Sequence, residues 1–463
     1  MTTREPYDAI VIGAGQAGGP LSTALVQSGR KTALIERQHV GGTCINEGCT
    51  PTKTMVASAE AAYMARRAEE YGVKVGPVVM EMAVVRARKR AIVESFRSGS
   101  EKQIVEGGVD LLMGAARFTG SHALAVRMHD GSMRDLTADL IFINAGGRPT
   151  RPPLSGLDTV AYLDSTSIME LAVVPEHLLI LGGGYVAAEF GQMFRRFGSE
   201  VTIVQRAAKL LTREDADIAE AVLAILREDG IRVLLNSSGE SVEASRSGVR
   251  LTIGTRDGRE VLSGSHLLVA TGRTPNSEDL DLGAAGVNVD KAGYVVVNER
   301  LETSVPGVYA LGDIKGGPAF THISYDDFRI VRANLLDGGN RSTAGRFVPY
   351  TVFIDPQLGR VGLSEEEART AARRVRIASM PMNQVARALE VDRPRGLMKV
   401  VIDGESDRIL GAAILGLDGG ELMAMVEITM MGNVPYTALR DGIFAHPTLA
   451  EAFNNLFESL RDG

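Results

Sequence analysis

One unit occurs twice in this chain and restricts its fold more than any other feature: a buried strand, a glycine-rich turn, a helix and a second strand. In the first copy residues 7–12 (YDAIVI) read as the strand and residues 13–18 (GAGQAG) as the turn. A helical run to Ser28 follows, Gly29 ends it, and residues 31–36 (KTALIE) form the next strand. In such a turn Gly13 makes the tight reversal, Gly15 lets the backbone approach a pyrophosphate, and Gly18 permits close helix–strand packing. The helix N-terminus then faces the phosphates. Glu36 lies 23 residues after Gly13, where a carboxylate can bond a ribose hydroxyl. The glycine spacing alone is a weak signal, but with strand, helix, strand and terminal acid all present it predicts a dinucleotide site.

The second copy opens with residues 177–181 (HLLIL) and turns through Gly182, Gly183, Gly184 and Tyr185 into a helix that carries Ala187 and Glu189 and ends at Gly198. Residues 200–204 (EVTIV) are its second strand. Ala187 stands at the third glycine position, an allowed variant. The residue 23 after Gly182 is Gln205, which is neutral; Arg206 follows, with Lys209 and Arg213 close by. Losing the acid and gaining arginine favours a ribose 2′-phosphate over a 2′-hydroxyl, hence NADPH, with NADH the alternative. The plainer reading is surface charge at a helix start.

Both cysteines of the chain, Cys44 and Cys49, fall in residues 41–53 (GGTCINEGCTPTK), directly after the first unit. Three readings stay open on spacing alone. The pair could be buried bystanders, half of a metal site with no further cysteine to complete it, or a redox-active disulfide.

Residues 54–107 read as two helices with a break near 71–73, and residues 109–139 as strands with turns. The basic run 86–90 (RARKR) reads as a solvated helix face. Residues 140–149 (LIFINAGGRP) are a strand ending in a glycine-rich turn, echoed by 267–276, and 151–153 (RPP) resemble a linker. Residues 307–313 form a strand with Asp313 at its C-terminal end, the edge at which ligands bind in parallel sheets. From about Phe347 there are strands and closing helices but no nucleotide fingerprint. A length of 463 residues predicts roughly three domains. The net charge of −7, without a basic patch, argues against a nucleic-acid partner. No run reaches the roughly 18 apolar residues of a membrane span. The polar first eight residues carry no secretory signal, and two cysteines argue against a secreted disulfide scaffold; the expectation is a cytoplasmic protein.

With these motifs in this order, the chain resembles the class I pyridine nucleotide–disulfide oxidoreductases, which include glutathione reductase, lipoamide dehydrogenase and mercuric reductase. The likeness covers essentially the whole length, and the stretch 41–53 is its most specific part. Residues 320–332, 394–399 and 454–457 look most similar to the mercuric-reductase-like branch, particularly the bacterial reactive-chlorine-resistance copper reductases. The resemblance implies an α/β fold with two Rossmann-type domains and a C-terminal α+β domain. An FAD domain (1–150 and 272–345) would be split by an NAD(P)H domain (151–271) and followed by a dimerisation domain (346–463).

It also implies roles. FAD would bind through Gly13, Gly15, Gly18, Glu36, Gly42, Thr43, Lys53, Gly147, Gly312 and Asp313, with Asp313 on the ribityl chain. NAD(P)H would bind through Gly182, Gly184, Tyr185, Glu189, Arg206 and Gly272, with Tyr185 covering the nicotinamide pocket. Cys49 would face the flavin and Cys44 attack the substrate. Lys53 would lie by the flavin N5 with Glu189 as its carboxylate, and His446 with Glu451 would be an acid–base pair supplied across a homodimer interface. Thiolate is the reactive form, so a nearby base or cation should depress the cysteine pKa, and an imidazole oriented by Glu451 can serve. No resident metal is implied.

The expected substrate is a small disulfide or a thiol-bound metal ion. Residues 461–463 (RDG) carry no cysteine pair of the kind that hands over Hg(II) in mercuric reductases. Phe444 stands where lipoamide dehydrogenases carry histidine, which weakens that alternative, and a glutathione-reductase-type activity stays open. A non-catalytic redox sensor would need neither the second glycine turn nor His446 and Glu451.

Overall fold

The computed structural model describes residues 4–371 and 374–462; the first three residues, 372–373 and Gly463 lie outside the described residues. The described chain falls into two compact units. The first draws on Met1–Met55, Ala83–Thr150 and Gly272–Arg346, the second on Val56–Met82, Arg151–Thr271 and Phe347–Gly463. Val56–Met82 thus belongs with the second unit, whereas the sequence reading ran one domain continuously from 1 to 150.

In the first unit the strand Glu5–Ile12 is central. It pairs in parallel with Thr32–Glu36 on one side and with Met133–Ile143 on the other. Its residues after Tyr7, apart from Asp8, are buried, as a strand covered on both faces requires. Asp110–Gly120 and Ala123–Met128 complete an antiparallel meander that returns to Met133–Ile143, and Val308–Ala310 adds a parallel edge. Ile10, Ile12, Ile141 and Phe118 fill one face of this sheet, while Leu21 and Leu25 of the helix Gly18–Gln27 cover the other with Phe142. Glu5–Ile12, Thr32–Glu36, Met133–Ile143 and Val308–Ala310 therefore run in parallel and deliver their C-terminal ends to one edge, where a ligand can meet main-chain N–H groups.

The helix Met82–Glu106 carries the basic run, and the expectation of a solvated face fails there in part. Lys89 is buried, and Arg88 donates to the Thr54 carbonyl at 2.8 Å.

The second unit repeats the parallel theme in four strands, ordered His266–Val269, His177–Leu181, Glu200–Val204 and Arg232–Leu234. A three-stranded antiparallel sheet, Ser238–Ser245, Gly248–Thr255 and Gly258–Gly264, lies beside it in sequence. The C-terminal part is an antiparallel sheet that includes Gln357–Gly362, Ile409–Gly416, Leu397–Asp403 and Val375–Pro381. Helices Gly419–Met431 and Ala452–Glu458 pack on it through Leu422, Val426, Phe453 and Phe457. Among the described residues no helix is long and apolar enough to cross a membrane.

Candidate active site

The two glycine turns have nearly the same backbone. Gly13 has φ +103°, and a Cβ there would lie 2.3 Å from the Asn144 carbonyl oxygen; Gly182 has φ +120°, and a Cβ there would lie 2.3 Å from the Ala270 oxygen. Each N–H bonds the neighbouring strand, Gly13 to Ile35 at 2.8 Å and Gly182 to Val204 at 2.9 Å. No L side chain fits either place.

In the first turn a Cβ on Gly18 would sit 2.0 Å from the Gly13 oxygen, so the helix starts hard against the turn. Glu36 is 9% exposed. One carboxylate oxygen accepts the Ala14 N–H at 2.9 Å and the other the Gln38 N–H at 2.7 Å. Each oxygen keeps a lone pair, so the carboxylate is aimed and still able to accept hydroxyl protons. A glycine cradle ending in a helix N-terminus, with a fixed acid beside it, fits the pyrophosphate and ribose of FAD.

The cysteine turn is docked on this cradle. Gly41 donates to the Ala14 carbonyl at 2.8 Å, Gln16 donates to the Gly41 carbonyl at 3.1 Å, and a Cβ on Gly42 would meet the Gly15 Cα at 2.7 Å. Gly42–Asn46, including Thr43, makes a single helical turn, and Cys49 opens the helix Cys49–Arg66 that carries Lys53. At Gly48 a Cβ would lie 3.3 Å from the Cys44 Cα, so only a glycine lets the chain pass closely enough to bring the sulfurs together.

Cys44 is half-buried and Cys49 exposed. The Cys49 sulfur lies 3.4 Å from the Thr321 hydroxyl. The Cys44 thiol is pushed well above its ordinary range, first by its hydrogen bond to Cys49, then by burial and by the charge on Cys49. The sequence reading expected a depressed thiol. Within this turn Cys44 instead keeps its proton and donates it towards Cys49, so its ionisation needs a base from elsewhere.

Asn46 was not singled out from the sequence. Its amide donates to the Val40 and Gly42 carbonyls at 3.0 and 2.9 Å, and its oxygen accepts Arg97 Nε at 2.8 Å. Asn144 was missed in the same way; it donates to the Gly13 carbonyl at 3.0 Å.

Gly312 (φ +68°) presents Asp313 at the end of strand Val308–Ala310. The Gly312 N–H bonds Asp327 at 2.8 Å, a fully buried carboxylate that also receives Arg346 at 2.7 Å and Lys315 at 3.2 Å. Burial pushes the Asp313 carboxyl up, against the pull of Arg273, 3.8 Å away, and Lys315. Gly147 and Gly272 lie in a connector rather than at a glycine turn. The strand Gly147–Pro149 pairs with Arg273–Pro275, and Thr150 donates to Gly272 at 2.9 Å.

In the second unit Gly184 faces open space, Ala187 is fully buried and Tyr185 is 41% exposed at the helix start. Glu189 is buried and accepts the Phe353 N–H at 2.8 Å. Gln205 occupies the place of Glu36: it packs on Gly183 as Glu36 meets Ala14, and donates to the Lys209 carbonyl at 3.1 Å. Lys209 turns back to the Glu214 carbonyl at 2.5 Å, so it serves the loop, while Arg206 and Arg213 are exposed.

Near the C-terminus His446 holds its Nδ1 3.0 Å from both oxygens of Glu451. The imidazole side chain is 72% exposed. With Nδ1 committed, Nε2 is the nitrogen left to exchange protons. Among the described residues no three His, Cys, Asp or Glu side chains gather as a metal site.

These features define a flavin- and pyridine-nucleotide-dependent disulfide reductase. The chain belongs to the pyridine nucleotide-disulphide oxidoreductase family, whose model matches residues 7–327, with the family's dimerisation domain at 348–457. It is 37% identical over 462 residues to the probable pyridine nucleotide-disulfide oxidoreductase RclA of Escherichia coli, covering 98% of this chain and 99% of that protein. It is 33% identical over 446 residues to a mercuric reductase of Staphylococcus aureus, covering 96% of this chain and 81% of that one. Among solved structures, the Cu(II) complex of the HOCl-induced flavoprotein disulfide reductase RclA from Escherichia coli superposes with a TM-score of 0.89 at 36% identity, over 98% of this chain and 99% of that chain. The chain is thus an FAD-dependent oxidoreductase with the mixed α/β architecture and C-terminal dimerisation domain expected from its motifs.

Proposed function

We propose that the chain passes electrons from NADPH through FAD to the Cys44–Cys49 pair, and on to a small-molecule disulfide or a thiol-bound metal ion, as a cytoplasmic homodimer. The observation that carries this reading is the docking of the Cys44–Cys49 turn on the rim of the first cradle, with Gly41 bonded to the Ala14 carbonyl at 2.8 Å and Gly42 pressed on Gly15. The first unit, through Gly13, Gly15, Gly18, Glu36, Gly42, Thr43, Lys53 and Asp313, is assigned to FAD. The second, through Gly182, Gly184, Tyr185 and Glu189, is assigned to the nicotinamide coenzyme, with residues from 347 onward as a third, interface domain. FAD supplies the two-electron link between nicotinamide hydride and a disulfide.

Residue by residue, Cys49 takes the thiolate role beside the Cys44 S–H, its sulfur 3.4 Å from the Thr321 hydroxyl. His446, reaching across a dimer interface and oriented by Glu451, takes the Cys44 proton. The Cys44 thiolate attacks one sulfur of the substrate disulfide, and the other sulfur leaves with the proton held by His446. Cys49 then attacks Cys44, releasing the second substrate thiolate and restoring the Cys44–Cys49 bond. Two electrons have passed to the substrate, and the pair awaits the next reduction. NADPH is favoured over NADH because Gln205 fills the acid's place and Arg206 is exposed beside it. Cu(II) belongs among the acceptors to try, since the E. coli relative was solved with it.

The test is an anaerobic NADPH titration read in the visible spectrum. A long-wavelength thiolate-to-flavin band that one acceptor abolishes supports the relay and identifies that acceptor's class. A bleached flavin without the band would make the protein a diaphorase with a bystander cysteine pair.

A further inference from the structure

Between strand Glu200–Val204 and helix Ala216–Glu228 runs a loop that carries Gln205 and Arg206, assigned to the coenzyme's ribose end, and the exposed Arg213. An exposed cationic loop recognises a phosphate only if its backbone is held still, because ordering it on binding costs affinity. Here it is held at both ends. At the cradle end, Leu211 donates to the Gly183 carbonyl at 2.9 Å, and Gln205 packs on the same glycine. Leu211 has φ +45°, an unfavourable conformation for a leucine that persists only when its neighbours impose it.

At the other end the fastening comes from the C-terminal part of the same unit. Glu214 is 3% exposed, and Tyr350 donates its hydroxyl to one carboxylate oxygen. The second oxygen has no hydrogen-bond partner and faces Arg360 Nε at 3.4 Å. Burial raises both the Glu214 carboxyl and the Tyr350 hydroxyl, as expected of a desolvated pair. Asp215, next in the chain, accepts the N–H groups of Glu365 and Glu366 at 3.0 and 3.1 Å, and Lys399 lies 3.2 Å away. The Glu214 main chain closes the loop on itself, its N–H bonding Leu211 and its carbonyl accepting Lys209. A buried carboxylate shared between a tyrosine hydroxyl and an arginine holds this end of the loop in one place.

We infer that Glu214, held by Tyr350 and Arg360, is a positioning residue for coenzyme recognition: it fixes the ribose-end loop from the C-terminal domain, so that domain sets the affinity for the coenzyme's 2′-phosphate. The inference rests on assigning the second glycine turn to NADPH.

The experiment measures Kd for NADP+ and NAD+ by calorimetry on oxidised, FAD-loaded dimer, with FAD content as a check of folding. Tyr350→Phe, which removes one oxygen, and Glu214→Leu are each expected to weaken NADP+ by about fivefold or more, the lower end of typical couplings between sites. NAD+ should weaken less, and Glu214→Gln, which keeps an acceptor for Tyr350, should restore most of the NADP+ affinity. Kd values within twofold of the wild type in fully flavinylated Tyr350→Phe and Glu214→Leu, with Arg206→Glu still weakening NADP+, would overturn the inference and leave the coenzyme assignment intact. If Arg206→Glu changes neither Kd, it is the coenzyme assignment of the loop that fails.

Discussion

Asp327 lies in the stretch 320–332, but nothing in the sequence gives it a role. Its carboxylate is fully buried and takes the Gly312 N–H at 2.8 Å, Arg346 at 2.7 Å and Lys315 at 3.2 Å. Asp327→Asn keeps an acceptor for Gly312 but strips the anion from two cations whose side chains are only 15% and 7% exposed. Breaking a buried ion pair from one side costs about 3–5 kcal/mol. The retained Gly312 bond and the second acid near Arg346, Asp326 at 3.5 Å, put this case at the lower end, about 3 kcal/mol. For a cooperative unit of about 150–250 residues that is a fall in Tm of about 6–12 °C. Because the Gly312 turn presents Asp313, FAD should dissociate before or with unfolding. The assay is thermal unfolding followed by circular dichroism and by the fluorescence of released flavin. A second variant, Asp327→Asn with Lys315→Met, should recover part of the loss, since one stranded cation is gone. A Tm within about 1 °C of the wild type, with flavin release unchanged, would refute the claim that this network holds the turn.

Asn46→Ala removes three hydrogen bonds from the cysteine turn. A looser turn lowers the effective concentration of one thiol at the other, so the pair's potential should become less negative, by about 30 mV for each tenfold loss in the closure equilibrium; a redox titration against glutathione that shows no shift would deny Asn46 that role. Arg206→Glu should lower the ratio of kcat/KM for NADPH over NADH, and an unchanged ratio would mean that Arg206 does not read the 2′-phosphate. Asp355 gives a pH dependence. Burial alone would raise its carboxyl, but Arg196 at 2.5 Å and Arg393 at 2.6 Å overcome this and hold it below the usual carboxylate range. A carboxyl depressed in the folded state adds stability above its unfolded pKa of about 3.9 and loses it as the pH falls through the folded value. Arg393→Met should therefore destabilise at neutral pH, and its gap from the wild type should close below about pH 4; a gap in urea midpoint that stays constant down to pH 3 would contradict the pairing.

What could be read from the sequence, and what could not, follows from the range of the interactions. The two glycine turns were legible because their constraint is local: a positive φ and a missing Cβ leave a residue type at a fixed spacing. Glu36 was legible for the same reason, since it closes the unit that begins at Gly13. Asn144, Thr321, Asp327 and the Arg97–Asn46 bond were not. Each acts across tens to hundreds of residues, and nothing in a strand's or helix's period says which distant polar group it will meet. Lys89 and Arg88 show the opposite error, in which composition suggested a solvated face and tertiary contacts took two of its cations.

The comparison between the two turns carries the argument one step further. Gly13 and Gly182 meet their neighbouring strands with nearly equal φ and the same 2.3 Å exclusion of a Cβ, so the backbone is not where their ligands are told apart. The difference lies at the end of the second strand. There Glu36 accepts one N–H from the glycine turn, at Ala14, and one from Gln38 just beyond it, whereas Gln205 contributes a neutral amide that bonds forward to Lys209. An acid that closes on its own cradle makes a self-contained ribose site. A glutamine that leans on the following loop makes recognition depend on where that loop is held, and the loop is held through its own Glu214 and Asp215 by Tyr350, Arg360 and Lys399 of the C-terminal domain. One fold thus uses the same turn twice, once with its selectivity built in and once with its selectivity anchored from outside.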